Sequence, residues 1–583
     1  MNRVAKKRDD TVSFLQLKRL AQKNTEGLYS YKLAVLGEFA TQHFCLALKG
    51  YAIKQGIALD IFEADYNQID AQLSDPASVL YSFKPHAVLI GICTEVLFER
   101  YCTLPLSQRG SLADQCVEQF KHRWEAIASN LGSVILQLNY AEQDDRIWGD
   151  YACKKQESFL FQTRKLNMLL MEAATKNTSV HIVDIAHCQN QMGYDIFCDV
   201  KQYLLSKMPF SLDGTVRMAS KVVDVIKALS GKIVKCVVLD LDGTLWGGVI
   251  GDDGLEGIQL GNLGAGEAYV AFQRWLKLLN ERGILLAVCS KNEPAAAKLP
   301  FEKHPDMVLK LEDFSAFVAN WENKAGNISN IQKTLNIGMD SIVFIDDNPF
   351  ERNAVRELLP DCIVPEMPED VAMFVPYLRS LNLFEMASFS EEDAHRARQY
   401  QTEAKRAALR TQFDTYDEYL ESLAMRAEAK SFDSFAYPRI AQLSQRTNQF
   451  NLRTMRYTER EIADIATNTK YESLYFTLDD KMGAYGIICA VILEKRRNLL
   501  FIDTWFMSCR VLKRGMEEYV MNKIVERARQ LGYETVLGEY IPTQKNPMVK
   551  DLYAQFGFIQ HPDGLFYLNV RDYSMRAVHI KEA

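Results

Sequence analysis

The 583-residue sequence lacks four features, each of which would place it in a special class of protein. No stretch reaches the roughly 18 to 20 consecutive apolar residues that a membrane-spanning helix needs, so the sequence does not predict a membrane protein. Lysine and arginine number 68 against 75 aspartates and glutamates, which gives a net charge of −7. No long basic tract is present either, so nothing in the charge indicates nucleic-acid binding.

Paired cysteines and an apolar leader are also missing. The 12 cysteines lie singly, without CxxC or CxxH pairs, and several fall inside apolar runs. This pattern predicts reduced, mostly buried thiols and no zinc site or disulfide framework. The first ten residues, MNRVAKKRDD, are charged and lead into polar sequence, unlike a secretion signal. We therefore expect a cytoplasmic protein.

The composition is that of several ordinary globular domains. Apolar residues make up 48% and charged residues 25% of the chain, whose length suits about three or four domains. In two successive stretches, short apolar strands alternate with helical segments, which predicts α/β domains with parallel sheets. The expected strands are 32–37, 87–92, 133–139 and 179–185 in the first stretch, and the run ending at Asp240, 284–290, 307–310 and 341–347 in the second.

The pattern changes after the second stretch. Residues 387–428 are rich in Glu, Ala, Arg and Lys without a strand pattern, which predicts a helical connector. From residue 429 helices and strands are mixed, with strands expected at 471–478, 484–494, 499–508 and 534–540 and helices at 437–447, 514–531 and 546–556. We expect a lead-in over 1–30, α/β domains over 31–230 and 231–386, the connector over 387–428, and an α+β domain over 429–583.

Four polar motifs follow the predicted strands of the second α/β domain, where open α/β sheets place their ligands. The first, VVLDLDGTL, puts Asp240 at a strand end and Asp242 two residues further on. Two carboxylates with this spacing can serve as a nucleophile and as a general acid and base. Because they repel one another, a divalent cation such as Mg²⁺ is their natural partner.

The other three motifs supply a hydroxyl, a cation and two more carboxylates. Ser290 is suited to hold a phosphoryl oxygen, and Lys324 lies at the start of a predicted helix, which favours an anion. Asp346 and Asp347 follow a further strand and can bind a metal ion. Each motif alone is common outside active sites. Their ordered occurrence on successive strand ends indicates a phosphotransfer site.

This set resembles the haloacid dehalogenase (HAD) superfamily of phosphohydrolases. The resemblance implies that Asp240 becomes an aspartyl-phosphate and that Asp242 is the general acid and base. It also implies a Mg²⁺ site and a site for the substrate phosphate. The metal ligands would be Asp240, the backbone carbonyl of Asp242, Asp346 and the auxiliary Asp347, and the phosphate-binding residues Thr244, Ser290 and Lys324.

The sequence around these motifs is similar to the FkbH-like branch of that superfamily. The similar segments are DLDGTLWGGVIGDDGLEGIQLG (240–261), CSKN (289–292) and DDNPFER (346–352). Trp246-Gly247-Gly248 is interpreted as a short hairpin flap. No large cap insertion is visible, so we expect a HAD-like Rossmannoid domain with an open site.

The resemblance implies a specific reaction. Proteins of this branch take the glyceryl group of 1,3-bisphosphoglycerate, remove phosphate, and load glyceryl as a thioester on an acyl carrier protein. Cys289 is the family-matched candidate for the thiol. Strand alternation, however, would point Cys289 away from a Ser290 that faces the site.

The flanking domains resemble two further folds. Segments 503–521 and 546–558 are similar to the GNAT acyltransferases, which implies a site for phosphopantetheine or CoA; a module that only docks a partner is the alternative. The implied binding residues are Arg510, Arg514, Gly515 and Tyr553. The first domain resembles a degenerate SGNH hydrolase with a doubly wound sheet. Glu38 stands where the nucleophilic serine would be, and 199–211 lacks the late DxxH, so we expect a structural or docking domain.

Two other functions stay open at this point. One is a HAD phosphatase that acts on a small sugar or acyl phosphate in polysaccharide synthesis, without acyl transfer. The other is a docking scaffold for a carrier protein, without catalysis. The intact aspartates and lysine favour an enzyme over the scaffold.

Overall fold

The structure is a computed structural model that describes residues 12–583 apart from 144, 390–401, 403–405, 407–408, 411 and 544. It contains two compact units, Met1–Lys227 and Ala228–Ala583, and each is described by itself. Among the described helices, none combines the length and the apolar character that crossing a membrane requires. The first described helix, Phe14–Leu20, lies in the predicted lead-in, of which residues 1–11 lie outside the described part.

The first unit is built on a parallel five-stranded sheet with helices between the strands. The order is β2-β1-β3-β4-β5, and the strands are β1 Tyr29–Gly37, β2 Ile57–Glu63, β3 Ala87–Gly91, β4 Val134–Leu138 and β5 Val180–Val183. Its helices after Phe14–Leu20 are Gln42–Lys54, Ile69–Ser74, Val79–Phe83, Thr94–Thr103, Leu106–Arg109, Leu112–Asn130, Phe159–Ala174, Ile185–Met192, Tyr194–Phe197, Val200–Ser206 and Leu212–Leu229. The sequence missed β2, a half-exposed edge strand.

The second unit begins with a four-stranded parallel sheet. The order is β8-β7-β6-β9, and the strands are β6 Cys236–Leu239, β7 Leu285–Ser290, β8 Phe314–Ala319 and β9 Ile342–Ile345. Its helices are Ile250–Gly257, Gly264–Glu281, Pro294–Lys303, Lys324–Leu335, Pro349–Leu358 and Phe374–Ser380. The parallel order brings the carboxyl ends of all four strands to one edge of the sheet.

One predicted strand of this sheet is wrong. Residues 307–310 form no strand, and the edge position belongs to β8. These residues form a loop that a side chain holds in place. Gln273 Oε1 accepts hydrogen bonds from the backbone N–H groups of Val308 and Leu309, at 3.0 and 3.2 Å. A side chain therefore satisfies the backbone groups that a neighbouring strand would otherwise have paired.

The rest of the second unit is a mixed α+β domain around an eight-stranded sheet, ordered β15-β16-β14-β13-β12-β11-β10-β17. Its strands are β10 Arg426–Lys430, β11 Tyr471–Asp480, β12 Gly483–Arg496, β13 Leu499–Met507, β14 Thr535–Gly538, β15 Ile559–Gln560, β16 Phe566–Asn569 and β17 Lys581–Glu582. Its helices are Tyr416–Ser422, Tyr437–Arg446, Glu459–Thr467, Met516–Gln530 and Leu552–Gln555. This is the predicted mixed α+β class, and its three longest strands, β11, β12 and β13, are antiparallel neighbours.

The predicted connector 387–428 falls partly outside the described residues. Its described part contains the helix Tyr416–Ser422 and the first residues of β10. The predicted fold class, several α/β and α+β domains with parallel sheets, is confirmed. The predicted domain limits stay predictions.

Two apolar layers cover the faces of the four-stranded sheet, because successive residues of a strand point to opposite sides. Val237, Leu239 and Val288 belong to one layer. Val238 and Cys289 belong to the other, which includes the helix Lys324–Leu335. The polar residues of the candidate site lie beyond these layers, where the strands end.

Candidate active site

The predicted site residues meet at the carboxyl edge of the four-stranded sheet. Leu239, the last residue of β6, pairs with Val288 of β7 on one side and with Ile345 of β9 on the other. Asp240 and Asp346 therefore follow at equivalent levels of neighbouring strands, and Ser290, the last residue of β7, lies one residue further along its strand. The sheet thus brings together side chains that are far apart in sequence.

Lys324 joins the two buried aspartates of this edge. Its Nζ lies 3.0 Å from Asp240 Oδ1 and 2.6 Å from Asp346 Oδ2. The Lys324 side chain is only 4% exposed, because it starts the helix Lys324–Leu335 that packs against the sheet. Asn323 caps this helix by accepting a 2.6 Å hydrogen bond from Gly326 N. The cap fixes the helix end, and with it the lysine.

Burial makes the charges of this cluster costly. Desolvation raises the pKa of Asp240, Lys324 opposes this effect, and the neighbouring Asp346 adds to it. The pKa of Asp346 is raised as well, again mainly by desolvation. The two carboxylates in turn raise the pKa of Lys324 against its own desolvation, so the lysine stays charged. A second cation near the aspartates would favour their ionised forms.

Three carboxylates in this cluster have the arrangement of a metal site. One oxygen each of Asp240, Asp346 and Asp347 lies within 4.8 Å of the other two. Asp240 Oδ1 accepts no hydrogen bond of acceptable geometry, although it is buried. With only one ammonium beside three carboxylates, two negative charges stay uncompensated. A hard divalent cation fits both the oxygen ligands and the charge.

Gly243 and Thr244 hold the third carboxylate of this site in place. Asp347 N donates a 3.1 Å hydrogen bond to Thr244 Oγ1, whose hydroxyl lies 3.2 Å from Asp347 Oδ1. Gly243 has φ +70°, and a Cβ at this position would lie 2.6 Å from Asp347 Cγ. The role of Thr244 in binding the substrate phosphate stays a prediction; its hydroxyl here contacts Asp347.

Asp242 is held by three hydrogen-bond donors. Its Oδ1 accepts from Trp246 Nε1 and from Ile250 N, both at 2.9 Å. Its Oδ2 accepts from Asn292 Nδ2 at 2.7 Å, and the same amide lies 3.2 Å from Ser290 Oγ. The carboxylate of the predicted general acid and base thus has a fixed orientation toward the strand ends.

The predicted flap is a small structure anchored by Trp246. The indole is fully buried and lies edge-on to Phe301, with ring centroids 5.6 Å apart. Gly247 and Gln259 exchange two backbone hydrogen bonds, at 3.1 and 2.8 Å, which close the loop around the helix Ile250–Gly257. Among the described residues between Asp242 and β7, no domain-sized cap is present. Asp347, at the same edge, is exposed to solvent.

Sequence reasoning missed two residues that order this edge. Asn292 belongs to the CSKN segment, but its residue type and position alone indicate no role. Arg352 was also unassigned; it is 3% exposed and its Nη1 donates to the backbone carbonyls of Asp346 and Asp347, at 2.9 and 2.7 Å. A buried arginine six residues after the strand end was the signal available in DDNPFER. Its contacts hold the metal-site loop.

Cys289 lies outside the site. It is fully buried in the layer opposite to Ser290, and its Sγ is 3.7 Å from the carbonyl oxygen of Lys324. Desolvation raises the pKa of the thiol to about 12, although Lys324 opposes the shift. A protonated, buried thiol is a poor nucleophile. The buried position and the raised pKa of Cys289 therefore do not favour its predicted role as the acyl-accepting thiol.

The predicted phosphopantetheine or CoA residues do not form an open site. Arg514 is buried, contacts Tyr485 Oη and lies 3.9 Å from Asp480. Gly515, with φ +81°, begins the helix Met516–Gln530 as predicted. Arg510 donates to Ser508 Oγ at 3.3 Å. The Lys513 N–H that precedes this helix donates to Glu517 Oε1 at 2.9 Å, so a carboxylate of the chain already lies where a phosphate was expected.

Tyr553 is also enclosed. Its side chain is fully buried, and burial raises the pKa of its phenol. The ring lies against Gly538, where a Cβ would come within 2.5 Å of Cε1. Phe558 and Phe566 pack beside it, with ring centroids 4.9 and 5.3 Å away. Its position inside the core does not allow contact with a ligand in the surrounding solvent.

A segment of the chain itself fills the gap beyond β14. The strands β13 and β14 pair only over Leu499–Ile502 and Thr535–Gly538. Beyond that point the segment Phe450–Leu452 lies between them, with hydrogen bonds from Met507 N to Phe450 O at 3.0 Å and from Ile541 N to Leu452 O at 2.9 Å. The main-chain groups that an extended ligand could pair with are therefore satisfied internally.

Comparison with known proteins gives a family and a related structure. The family model of the FkbH N-terminal domain matches residues 32–227. The N-terminal part of the protein BF1531 from Bacteroides fragilis, which contains a phosphatase domain and was crystallised with Mg, is 44% identical. It covers 65% of this chain, this chain covers 100% of it, and the TM-score is 0.62. None of the curated proteins matches the sequence.

Acetyltransferases resemble a smaller part of the chain. The ribosomal-protein-S18-alanine N-acetyltransferase of Escherichia coli is 14% identical over 26% of this chain and 96% of its own, with a TM-score of 0.20. The spermidine N-acetyltransferase of Vibrio cholerae, in complex with CoA and spermine, is 12% identical over 25% and 98%, with a TM-score of 0.21. Scores this low carry no information about activity.

Proposed function

Because the chain belongs to the FkbH-like proteins, we propose that it dephosphorylates 1,3-bisphosphoglycerate and loads the glyceryl group as a thioester on an acyl carrier protein. This reaction would serve polyketide or related natural-product biosynthesis. The phosphatase activity is supported by the related structure, which contains a phosphatase domain complexed with Mg. All twelve cysteines are free, which agrees with the cytoplasm as the proposed location.

The cluster of Asp240, Lys324 and Asp346 is the observation that carries the proposal. It combines a buried carboxylate, a buried ammonium 3.0 Å away and a group of three carboxylates that fits one divalent ion. We propose that Asp240, Asp346 and Asp347 hold Mg²⁺, together with the backbone carbonyl of Asp242. When bound, the ion neutralises the oxygens of the phosphoryl group during transfer.

In the phosphoryl step, a carboxylate oxygen of Asp240 attacks the phosphorus of the substrate's phosphate ester. The bond between phosphorus and the ester oxygen breaks, and Asp242 gives its proton to that oxygen. Asp242 then removes a proton from water, which attacks the aspartyl-phosphate and releases inorganic phosphate. The three donors around Asp242 keep its carboxylate oriented through both transfers.

In the acyl step, a thiol attacks the carbonyl carbon of the acyl phosphate. The carbon–oxygen bond to phosphate breaks, the thiol loses its proton, and inorganic phosphate leaves. Cys289 is buried and its pKa is raised, so we propose that the phosphopantetheine thiol of the carrier protein is the direct acceptor. The absence of a domain-sized cap in the described residues 242–285 leaves room for a substrate on a carrier.

The decisive experiment is a loading reaction. The protein is incubated with 1,3-bisphosphoglycerate, Mg²⁺ and a phosphopantetheinylated carrier protein, and the carrier is analysed by intact-mass spectrometry. We expect a glyceryl increment on this carrier and none on the same carrier without phosphopantetheine. Phosphate release without the increment would instead support the alternative, a phosphatase for a small sugar or acyl phosphate.

Two variants test the assigned residues. Asp240→Asn should abolish phosphate release, because the amide cannot form the aspartyl-phosphate; turnover at the wild-type rate would remove the central assignment. Cys289→Ala should leave carrier loading intact, because the thiol lies in the opposite layer. Loss of loading in a folded Cys289→Ala protein would restore the thiol as the acceptor.

A further inference from the structure

The loops at the carboxyl edge of the four-stranded sheet contain few cations. These loops are residues 240–263, 290–293, 320–324 and 346–352, and their lysines and arginines are Lys291, Lys324 and Arg352. The same loops carry several exposed acidic residues, namely Asp252, Asp253, Glu256, Glu293 and Glu322. An anionic substrate therefore meets a rim that is mostly negative.

Two of the three cations are already committed to the metal site. Lys324 is paired with Asp240 and Asp346 and is 4% exposed. Arg352 donates to the backbone carbonyls of Asp346 and Asp347. These contacts orient the phosphotransfer centre, so neither side chain can reach a part of the substrate that extends toward solvent.

Lys291 differs from both in position. It directly follows Ser290, and its side chain is 38% exposed. Its Nζ lies 2.6 Å from Glu351 Oε1, in the first turn of the helix Pro349–Leu358 that follows β9. Because β6 lies between β7 and β9, this ion pair crosses the end of the strand that carries Asp240. The pair thus connects the loops on either side of Asp240.

Glu351 orients the ammonium without saturating it. The Glu351 side chain is 12% exposed and so holds the lysine from a fixed, largely buried position. An ammonium group has three N–H donors, and one of them is directed at Glu351. Because 38% of the Lys291 side chain is exposed, the remaining donors can reach solvent. A second anionic group of the substrate can therefore bind Lys291 while the ion pair stays intact.

We propose that Lys291, positioned by Glu351, binds a second anionic group of the substrate. The substrate class is then a small phosphate compound with a carboxylate, acyl phosphate or second phosphate in addition to the phosphoryl group at Asp240. This role of Lys291 depends on the proposed function in one respect, that the transferred phosphoryl group binds at Asp240. It also accounts for selectivity, because a phosphate without a second anion gains nothing from Lys291 against the acidic rim.

A binding measurement tests the assignment, with Asp240→Asn in every protein so that 3-phosphoglycerate is bound but not hydrolysed; wild type and variant then refer to position 291. Calorimetry in the presence of Mg²⁺ compares 3-phosphoglycerate, which has a phosphate and a carboxylate, with inorganic phosphate, which has no second group. In the wild type we expect 3-phosphoglycerate to bind at least about tenfold more tightly, as a charge-assisted hydrogen bond allows. Lys291→Met should reduce this preference by about tenfold, and Lys291→Arg should retain most of it.

The matched control is Lys298→Met, on the neighbouring helix Pro294–Lys303. Lys298 is exposed and lies 5.9 Å from the ring of Phe317, away from the Ser290 loop. This variant should keep the wild-type preference. The assignment would be overturned if the wild type and Lys291→Met showed the same preference for 3-phosphoglycerate over inorganic phosphate. It would also be overturned if neither protein showed any preference. Failure to turn over 1,3-bisphosphoglycerate, with the Lys291-dependent preference intact, would instead count against the proposed function alone.

Discussion

Gly243→Ala separates a metal-site effect from a backbone effect. Gly243 has φ +70°, which costs an L-residue about 1–2 kcal/mol. The new Cβ would also lie 2.6 Å from Asp347 Cγ, well inside van der Waals contact. Since Thr244 and Asp347 are hydrogen-bonded to each other, the aspartate must leave its position among the metal-site carboxylates.

The expected result is a loss of Mg²⁺ affinity together with a modest loss of stability. Loss of an outer-shell partner of a metal ligand typically lowers metal affinity about 10- to 100-fold. Displacing the ligand Asp347 itself should lower Mg²⁺ affinity by at least this factor. The assay is phosphate release from acetyl phosphate as a function of Mg²⁺ concentration. Thermal unfolding of the same samples measures the backbone cost.

Gly532→Ala is the matched control for the backbone cost. Gly532 has φ +77°, and no atom lies within 4 Å of the position that a Cβ would take, so the substitution adds similar strain without a clash. Both variants should lose about 1–2 kcal/mol of stability, but only Gly243→Ala should need more Mg²⁺. Equal Mg²⁺ dependence in the two variants would refute the reasoning.

Three further predictions follow from other contacts. Asn292→Ala removes a donor to Asp242 and should lower kcat by about 10- to 100-fold in steady-state phosphate release, the worth of a hydrogen bond to a charged group; an unchanged kcat would contradict its positioning role. Coenzyme A at millimolar concentration should give no thermal shift, because Phe450–Leu452 fills the gap beside β13; a clear stabilisation would contradict this. For Glu472, desolvation raises the pKa, but the pairs with Lys495 and a nearby arginine outweigh it, so the pKa is lowered. The ionised Glu472 therefore stabilises the fold near neutral pH, and this stabilisation is lost as the pH falls below the ordinary range of a carboxyl pKa. The difference in melting temperature between Glu472→Gln and the wild type should shrink on acidification. A difference that does not change with pH would contradict the lowered pKa.

Local patterns made much of the fold predictable. The strands β1, β3, β4, β6 and β9 are rich in apolar residues, and each was expected close to its observed position. The prediction of a strand at 307–310 failed because burial alone does not distinguish a strand from a loop held by a side chain. Gln273, about 35 residues earlier, satisfies that loop, and no local pattern reveals it.

The residues of the candidate site also differ in whether the sequence could predict them. Asp240 and Asp346 were predictable because each directly follows an apolar strand, and parallel strands end at one edge. The contacts of Asn292 and Arg352 were not, because each depends on a loop folding back toward a group whose position the sequence does not specify. The catalytic and metal-binding roles of these residues stay predictions, which the variants above test.

The sequence by itself determined the chemistry available at the strand ends: the DLDGT carboxylates, the serine, the lysine and the paired aspartates. These depend on the identity of a residue and on where its own strand stops. The tertiary structure alone decided which groups are accessible. It enclosed Arg514 and Tyr553, inserted Phe450–Leu452 beside β13 and paired Lys291 with Glu351. Accessibility depends on segments distant in sequence, and only packing brings those segments together.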